Sequence, residues 1–245
     1  MTAFHFTDDI HERIRAATEF FWSTRTGQIR RQTASEVRDT GNRGAVTGGK
    51  QLDGFVRLTR ELLIGAGVPE NMIFTESDLE LPGYFRPNKK WDLLVAGQGR
   101  LYAAIEFKSQ VGPSFGNNFN NRTEEAMGSA ADFWTAYREG AFGAYPAPFL
   151  GYFMVLEDSE KSRAPVSVRS AHFPILPEFR GASYRERYAL FCEKLLLERQ
   201  YGAACFLTTS VDENGEVLLD CPRTALSYTA FFSTMLGHVL GQMHL

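Results

Sequence analysis

The sequence predicts an α/β fold: a central mixed β-sheet flanked by helices, with additional helices towards both ends of the chain. Three observations carry this. Ile10, Ile14, Ala17, Phe20 and Phe21 recur at spacings of three or four near the N-terminus, the period of an amphipathic helix. The middle of the chain then changes to short apolar runs of strand length. Finally, a helical stretch, residues 123–138, separates the strand candidates 101–107 and 149–156, and a helix between two strands is a crossover connection.

Taken in order, residues 8 to about 33 form the first helix, with Asp8 and Asp9 suited to its N-terminus. Residues 34–49 are polar, glycine-rich and without a period, which predicts a loop that a ligand could order. A second amphipathic helix carries Leu52, Phe55, Val56, Leu58, Leu62 and Leu63 and ends near Gly65-Ala66-Gly67, before Pro69. Residues 72–75, 92–96 and 101–107 are strands. Gly97-Gln98-Gly99-Arg100 joins the last two as a hairpin, so they pair antiparallel. Residues 112–121, rich in Gly, Pro, Ser and Asn, read as a loop before the crossover helix. After the strand 149–156 come a helix over about 183–199, strands at 203–208 and 216–219, and a helix from about residue 224. The whole is read as one domain over 1–245: a helical region to about 67, a core over about 71–210 that carries the chemistry, and a closing strand and helix over about 216–245.

Composition narrows the function classes. Cys192, Cys205 and Cys221 are an odd number with no C-x-x-C spacing, so buried free thiols are expected and not a disulfide framework or a zinc knuckle. The five histidines include no H-E-x-x-H pair, which removes the usual signal for zinc hydrolysis. No apolar stretch approaches the ~20 residues that span a bilayer, and the first residues lead into Asp8 and Asp9 where an export signal needs bases and an apolar run. A soluble, cytoplasmic protein is expected. A net charge of −3 counts against a nucleic-acid partner, but positive charge is concentrated locally. Arg25, Arg30, Arg31, Arg38, Arg43 and Lys50 face only Glu36 and Asp39 in their stretch, and residues 82–91 hold Arg86, Lys89 and Lys90 with no acid.

The chemistry concentrates in Trp91-Asp92-Leu93-Leu94-Val95-Ala96 and, across the turn, Ala103-Ala104-Ile105-Glu106-Phe107-Lys108. Glu106 and Lys108 are two apart on a strand and share one sheet face, while Ile105 and Phe107 enter the opposite, apolar layer. Asp92 opens the neighbouring strand, so its carboxylate can converge on Glu106. Two carboxylates and an ammonium suit phosphodiester hydrolysis, because the phosphate already carries charge that repels an attacking hydroxide and a hard cation relieves it. Asp92 and Glu106, with the Phe107 carbonyl, would hold Mg²⁺; Lys108 would orient water and stabilise charge on the phosphate. The triplet E-x-K is common in isolation, where Asp92 would merely cap a strand and Glu106 with Lys108 would be an exposed pair. The context of strand, hairpin, strand, Asn-rich segment and helix gives it weight.

With these residues in view, the sequence resembles the PD-(D/E)xK nucleases and, more narrowly, the XhoI family of type II restriction endonucleases. The strongest likeness runs from Ile105-Glu106-Phe107-Lys108-Ser109-Gln110 through Gly116-Asn117-Asn118-Phe119-Asn120-Asn121-Arg122 to Ala126. The resemblance implies a restriction-endonuclease-like core, with Asp92 and Glu106 as metal ligands and Lys108 as the catalytic lysine. Trp91 stands where the motif has proline, so Glu76, Asp78 and Glu80 are rivals to Asp92. It further implies a homodimer that recognises CTCGAG in double-stranded DNA, cuts each strand after the first C to leave a four-base 5′ overhang, and works beside a DNA methyltransferase that protects the host. A two-fold dimer matches a palindrome in symmetry.

Asn117, Asn118, Asn120, Asn121 and Arg122 are the first candidates for DNA contact, as residue types suited to base edges or phosphates; the alternative is a tight turn bonding its own backbone. Glu124 and Glu125 are then expected at the N-terminus of the crossover helix. Lys89 and Lys90 are further candidates. Gly44-Ala45-Val46-Thr47-Gly48-Gly49-Lys50 matches most of a P-loop, but Gln51 replaces the Ser or Thr that binds Mg²⁺ and no buried strand precedes it. A basic loop that closes on the DNA backbone through Arg43 and Lys50 is the better reading. A structure-selective or repair nuclease, or an inactive DNA-binding module on the same core, would share these features.

Overall fold

A computed structural model describes residues 9–34 and 49–243, with side chains described for 9–27 and 49–243. Its helices are α1 (Asp9–Ala34), α2 (Asp53–Gly65), α3 (Phe115–Arg138), α4 (Glu160–Arg163), α5 (Tyr184–Leu197) and α6 (Tyr228–Met243). The strands are β1 (Ile73–Phe74), β2 (Glu80–Pro82), β3 (Asn88–Lys90), β4 (Leu93–Gly97), β5 (Arg100–Gln110), β6 (Phe149–Glu157), β7 (Ala203–Val211) and β8 (Val217–Asp220).

Six strands form one sheet in the order β1-β4-β5-β6-β7-β8, and β2 with β3 makes a separate hairpin. The β5–β6 and β6–β7 pairs are parallel and the others antiparallel, so the sheet is mixed as expected. Helix α3 makes the crossover from β5 to β6, and α5 lies between β6 and β7.

Period-two alternation divides the core into two layers. Leu93, Val95, Ile105, Phe107, Phe153, Val155 and Leu207 face α1, α2 and α6, which supply Ile14, Phe21, Phe55, Leu63, Phe231 and Phe232. Leu94, Ala104, Tyr152, Met154 and Phe206 face α3 and α5, which supply Ala130, Phe133, Tyr188 and Phe191. Burying each large apolar side chain is worth roughly 1.5–3 kcal/mol, and with helices on both faces the central strands are apolar almost throughout. Glu106 and Lys108 share the parity of Ala104 and so lie on the α3 side. Helix α2 stops where Gly67, at φ 98°, takes the left-handed conformation. It packs against α1 at Gly54, where a Cβ would lie 3.1 Å from the Ala17 carbonyl oxygen. Cys192 and Cys205 are buried free thiols, and Cys221 is half-buried and also unpaired.

Two segments depart from the expectations. The Asn-rich stretch is not a loop: α3 begins at Phe115, so Asn117, Asn118, Asn120, Asn121 and Arg122 are helical, and Glu124 and Glu125 lie in its third turn and not at its start. Asn and Gly are poor helix formers, but Phe115 and Phe119, one turn apart, pack on Tyr184 and Tyr188 of α5, and that burial outweighs propensity. Strand β5 also runs to Gln110, which puts Glu106 and Lys108 inside the strand and not at its end. The β2–β3 hairpin was not foreseen; its residues are mostly exposed and polar, without an apolar face to announce it. The predicted loop 34–49 and Arg43 lie almost wholly outside the described residues. Among the described residues, no helix is long and apolar enough to cross a membrane.

Candidate active site

β4 leaves the ladder before β5 does. Their pairing ends at Leu93 opposite Ile105, apart from one bond from the Asp92 N–H to the Ile105 carbonyl at 3.2 Å. The N–H of Phe107 is thus left without a strand partner on that side, and it donates instead to Oδ2 of Asp92 at 2.8 Å. The Phe107 carbonyl leaves β5 on the same side as its N–H, towards Asp92. Burial pushes the Asp92 carboxyl above the ordinary range; Lys108, the Phe107 N–H and Lys89 oppose this, and the charge of Glu106 adds to it.

Glu106 is 2 % exposed. Its Oε1 accepts from Lys108 Nζ at 2.7 Å and from Lys89 Nζ at 3.0 Å. Burial pushes its carboxyl up, but the two ammonium groups outweigh that and hold it below the usual range. The other oxygen, Oε2, is buried with no hydrogen-bond partner among the described residues. Leaving a charged oxygen buried and unpaired is costly, and a hard cation that takes oxygen ligands would satisfy it. Among the described residues, no three His, Cys, Asp or Glu side chains are placed to hold a metal ion between them. Asp92, Glu106 and the Phe107 carbonyl could each offer an oxygen, and so small a set would suit an ion that keeps several of its waters.

A sequence model described as "Restriction endonuclease XhoI" matches residues 31–217, about three quarters of the chain and every residue of this site. The chain belongs to the XhoI restriction endonuclease family. Among its relatives, type II restriction enzyme BstVI of Geobacillus stearothermophilus is 49% identical over 207 residues, 82% of this chain and 92% of the relative. Type II restriction enzyme XhoI of Xanthomonas vasicola is 45% identical over 180 residues, 73% of this chain and 72% of the relative. Type II restriction enzyme AbrI of Azospirillum brasilense is 48% identical over 166 residues, 67% of this chain and 74% of the relative. No solved structure matches the chain.

In this XhoI-family chain the other candidates divide between two cavities. One, of about 600 Å³, is lined by Glu106, Lys108, Lys89, Phe85, Arg86 and Arg122. The other, of about 500 Å³, is lined by Asp92, Lys108, Lys90, Arg122, Asp53 and Glu76 among others. Arg122 borders both; its Nη1 bonds Glu125 at 2.7 Å, while its Nε is buried without a hydrogen-bond partner among the described residues. Asn118, half-buried, lies one turn before it and Asn117, Asn120 and Asn121 are exposed; none of the four lines either cavity. Lys50 is exposed beside α2, and its neighbour Gln51 donates to Ser109 Oγ at 2.6 Å, tying that segment to β5. Of the rivals to Asp92, Glu76 borders its cavity; Asp78 and Glu80 do not, and Glu80 lies opposite Lys90 in the hairpin.

Lys89, a candidate for DNA contact in the sequence, is placed on Glu106 by the structure, and Asp53 was not among the candidates. Strand β3 carries Lys89 inward, so that its Nζ sits over the Trp91 ring at 4.2 Å and reaches Glu106. Asp53, at the start of α2, is raised by burial against the pull of Lys50 and Arg57, and the charge of Asp92 adds to the rise. Only tertiary packing brings it there, and no spacing in the sequence announces it.

Proposed function

We propose that this chain is a type II restriction endonuclease that hydrolyses phosphodiester bonds of double-stranded DNA with Mg²⁺. The observation that carries the reading is Glu106: buried, held as a carboxylate by two lysines on one oxygen, with the other oxygen lacking a hydrogen-bond partner among the described residues, in a chain of this family. Asp92, Glu106 and the Phe107 carbonyl would hold the ion, which when bound supplies Lewis-acid polarisation of the phosphoryl group. Lys108 orients the attacking water and offsets charge developing on the phosphate. Lys89 keeps Glu106 ionised. Arg122, flanked by both cavities, binds a phosphate oxygen, with Lys90 and Lys50 contacting the backbone further out. Asn117, Asn118, Asn120 and Asn121, presented on the first turns of α3, contact DNA beyond the site.

Likeness to the type II restriction enzymes, XhoI among them, supports the finer reading: a homodimer acting on CTCGAG, cutting after the first C with a four-base 5′ overhang, and paired with a protective methyltransferase. The test is incubation with plasmid DNA in Mg²⁺ and in EDTA, followed by end-sequencing. Discrete ends at CTCGAG in Mg²⁺ alone are expected, and Asp92→Ala, Glu106→Ala and Lys108→Ala should each lose cleavage while still binding DNA. Intact DNA with folded protein would overturn the nuclease reading, and ends at another sequence would overturn the specificity alone.

A further inference from the structure

The β2–β3 hairpin ends in two exposed aromatic rings, Tyr84 at 54 % and Phe85 at 73 % exposure. Exposed rings on a loose loop would need no explanation, but this tip is strapped down. Oδ1 of Asp132, a buried residue of α3, accepts from the N–H of Tyr84 at 2.7 Å and of Phe85 at 2.8 Å, and its Oδ2 accepts from Arg86 Nε at 2.7 Å. Gly83 lies so close that a Cβ there would be 2.5 Å from Asp132 Oδ2. The rings pack edge to face at 4.9 Å between centroids, so Tyr84 buttresses Phe85. Fixing two apolar rings in solvent adds nothing to the core, yet it removes in advance the ordering cost of a contact they would make.

Position identifies the partner. Phe85 and Arg86 line the cavity that also holds Glu106, Lys108, Lys89 and Arg122, so the tip stands beside the groups proposed to act on the phosphate. Residues 82–91 carry Arg86, Lys89 and Lys90 and no acid, which suits a polyanion better than a second copy of this acidic chain. Every base offers a π-face for stacking, and apolar side chains inserted at a base step unstack it.

We infer that Phe85, braced by Tyr84 and anchored through Asp132, is a stacking wedge that inserts at a base step flanking the phosphate to be cut. The inference rests on the nuclease reading above. It makes Phe85 a positioning residue: by opening the stack locally, it seats the adjacent phosphate against Lys108 and Arg122.

The experiment uses duplexes of the sequence at which the wild type is found to cut, each with 2-aminopurine at one position, in Ca²⁺ to hold the complex before cleavage. Fluorescence should rise several-fold at one position flanking the cut, and should not rise with Phe85→Ala. That variant, whose ring is exposed and supports no core, should keep its melting temperature and bind about 5- to 150-fold more weakly, the range expected for one lost base–aromatic stack. Phe85→Trp should retain the signal. A wild type that cuts while every probe stays dark, or a Phe85→Ala that brightens the probe equally, would overturn the wedge and spare the nuclease reading. So would a Phe85→Ala that binds and cuts normally but self-associates less in sedimentation, which would assign the rings to a contact between copies. A folded wild type that cuts no DNA, and so yields no such sequence, would overturn both.

Discussion

Lys89 Nζ lies 3.0 Å from Oε1 of Glu106, the same oxygen that Lys108 reaches at 2.7 Å. Two cations on one buried oxygen keep the carboxylate charged and leave the other oxygen for a ligand. Lys89→Met removes one of them, so Glu106 should protonate more readily and hold a divalent ion less well. The expected outcome is a rise in the Mg²⁺ needed for half-maximal cleavage, largest at low pH where Glu106 competes with a proton, with partial recovery in Lys89→Arg. A Mg²⁺ titration of cleavage rate checks this; an unchanged curve would reduce Lys89 to a packing role over Trp91.

Asp92 has a structural duty as well as a chemical one, and two variants separate them. Asp92→Ala strips the Phe107 N–H of its acceptor, which should cost about 1–3 kcal/mol where that group stays buried. Asp92→Asn keeps an acceptor for that N–H and removes a charge that burial disfavours. Cleavage should vanish in both. In urea unfolding, Asp92→Asn should match or exceed the wild type, and Asp92→Ala should fall below it.

The parts of the site that were legible in the sequence are those set by one strand or one hairpin. Period two put Glu106 and Lys108 on a common face, and the Gly97–Arg100 turn brought Asp92 to the same end of the sheet. The α3 start was misread because the Asn and Gly of residues 116–121 look like a loop, while Phe115 and Phe119, which decide the matter, act through rings on α5. The contact of Lys89 with Glu106, and the presence of Asp53, are not legible for a related reason. Their place beside Glu106 and Asp92 depends on elements remote along the chain, a polar hairpin strapped by Asp132 and a helix from the opposite layer.

That strap should titrate. Burial pushes the Asp132 carboxyl up, but bonds from the Phe85 N–H, the Arg86 guanidinium and the Tyr84 N–H outweigh it and hold the carboxyl below its ordinary range. A carboxyl lowered in the folded state stabilises it fully above the unfolded value of about 3.9, and that contribution is lost as pH falls through the lower folded value. Asp132→Asn should therefore be less stable than the wild type at neutral pH, with the gap closing only below about pH 4. Parallel urea curves at pH 7 and at pH 3 measure it. A gap that is constant with pH would show that the charge of Asp132 contributes nothing.

The hairpin turn between β4 and β5 holds the register on which the site depends. Gln98 and Gly99 both have positive φ, 54° and 74°, between the paired Gly97 and Arg100. Such a two-residue turn favours Asn-Gly, since Asn tolerates the left-handed region better than Gln. Slipping the pairing by one residue would turn Glu106 and Lys108 into the apolar layer beneath α2 and α6. Gln98→Asn should raise stability by up to ~1 kcal/mol, because its gain is the strain that Gln now carries. Gly99→Ala should lower it by about 1 kcal/mol or more, since nothing crowds the position and only backbone conformation opposes the methyl group. For a chain of this length each ~1 kcal/mol moves the melting temperature by roughly 2–4 °C, so calorimetry should order the variants Gln98→Asn, wild type, Gly99→Ala. Cleavage per folded molecule should stay the same in all three, because the turn fixes which face Glu106 occupies and takes no other part in the site. A Gly99→Ala protein that melts normally but fails to cut would mean that the turn reaches the chemistry by some route other than register.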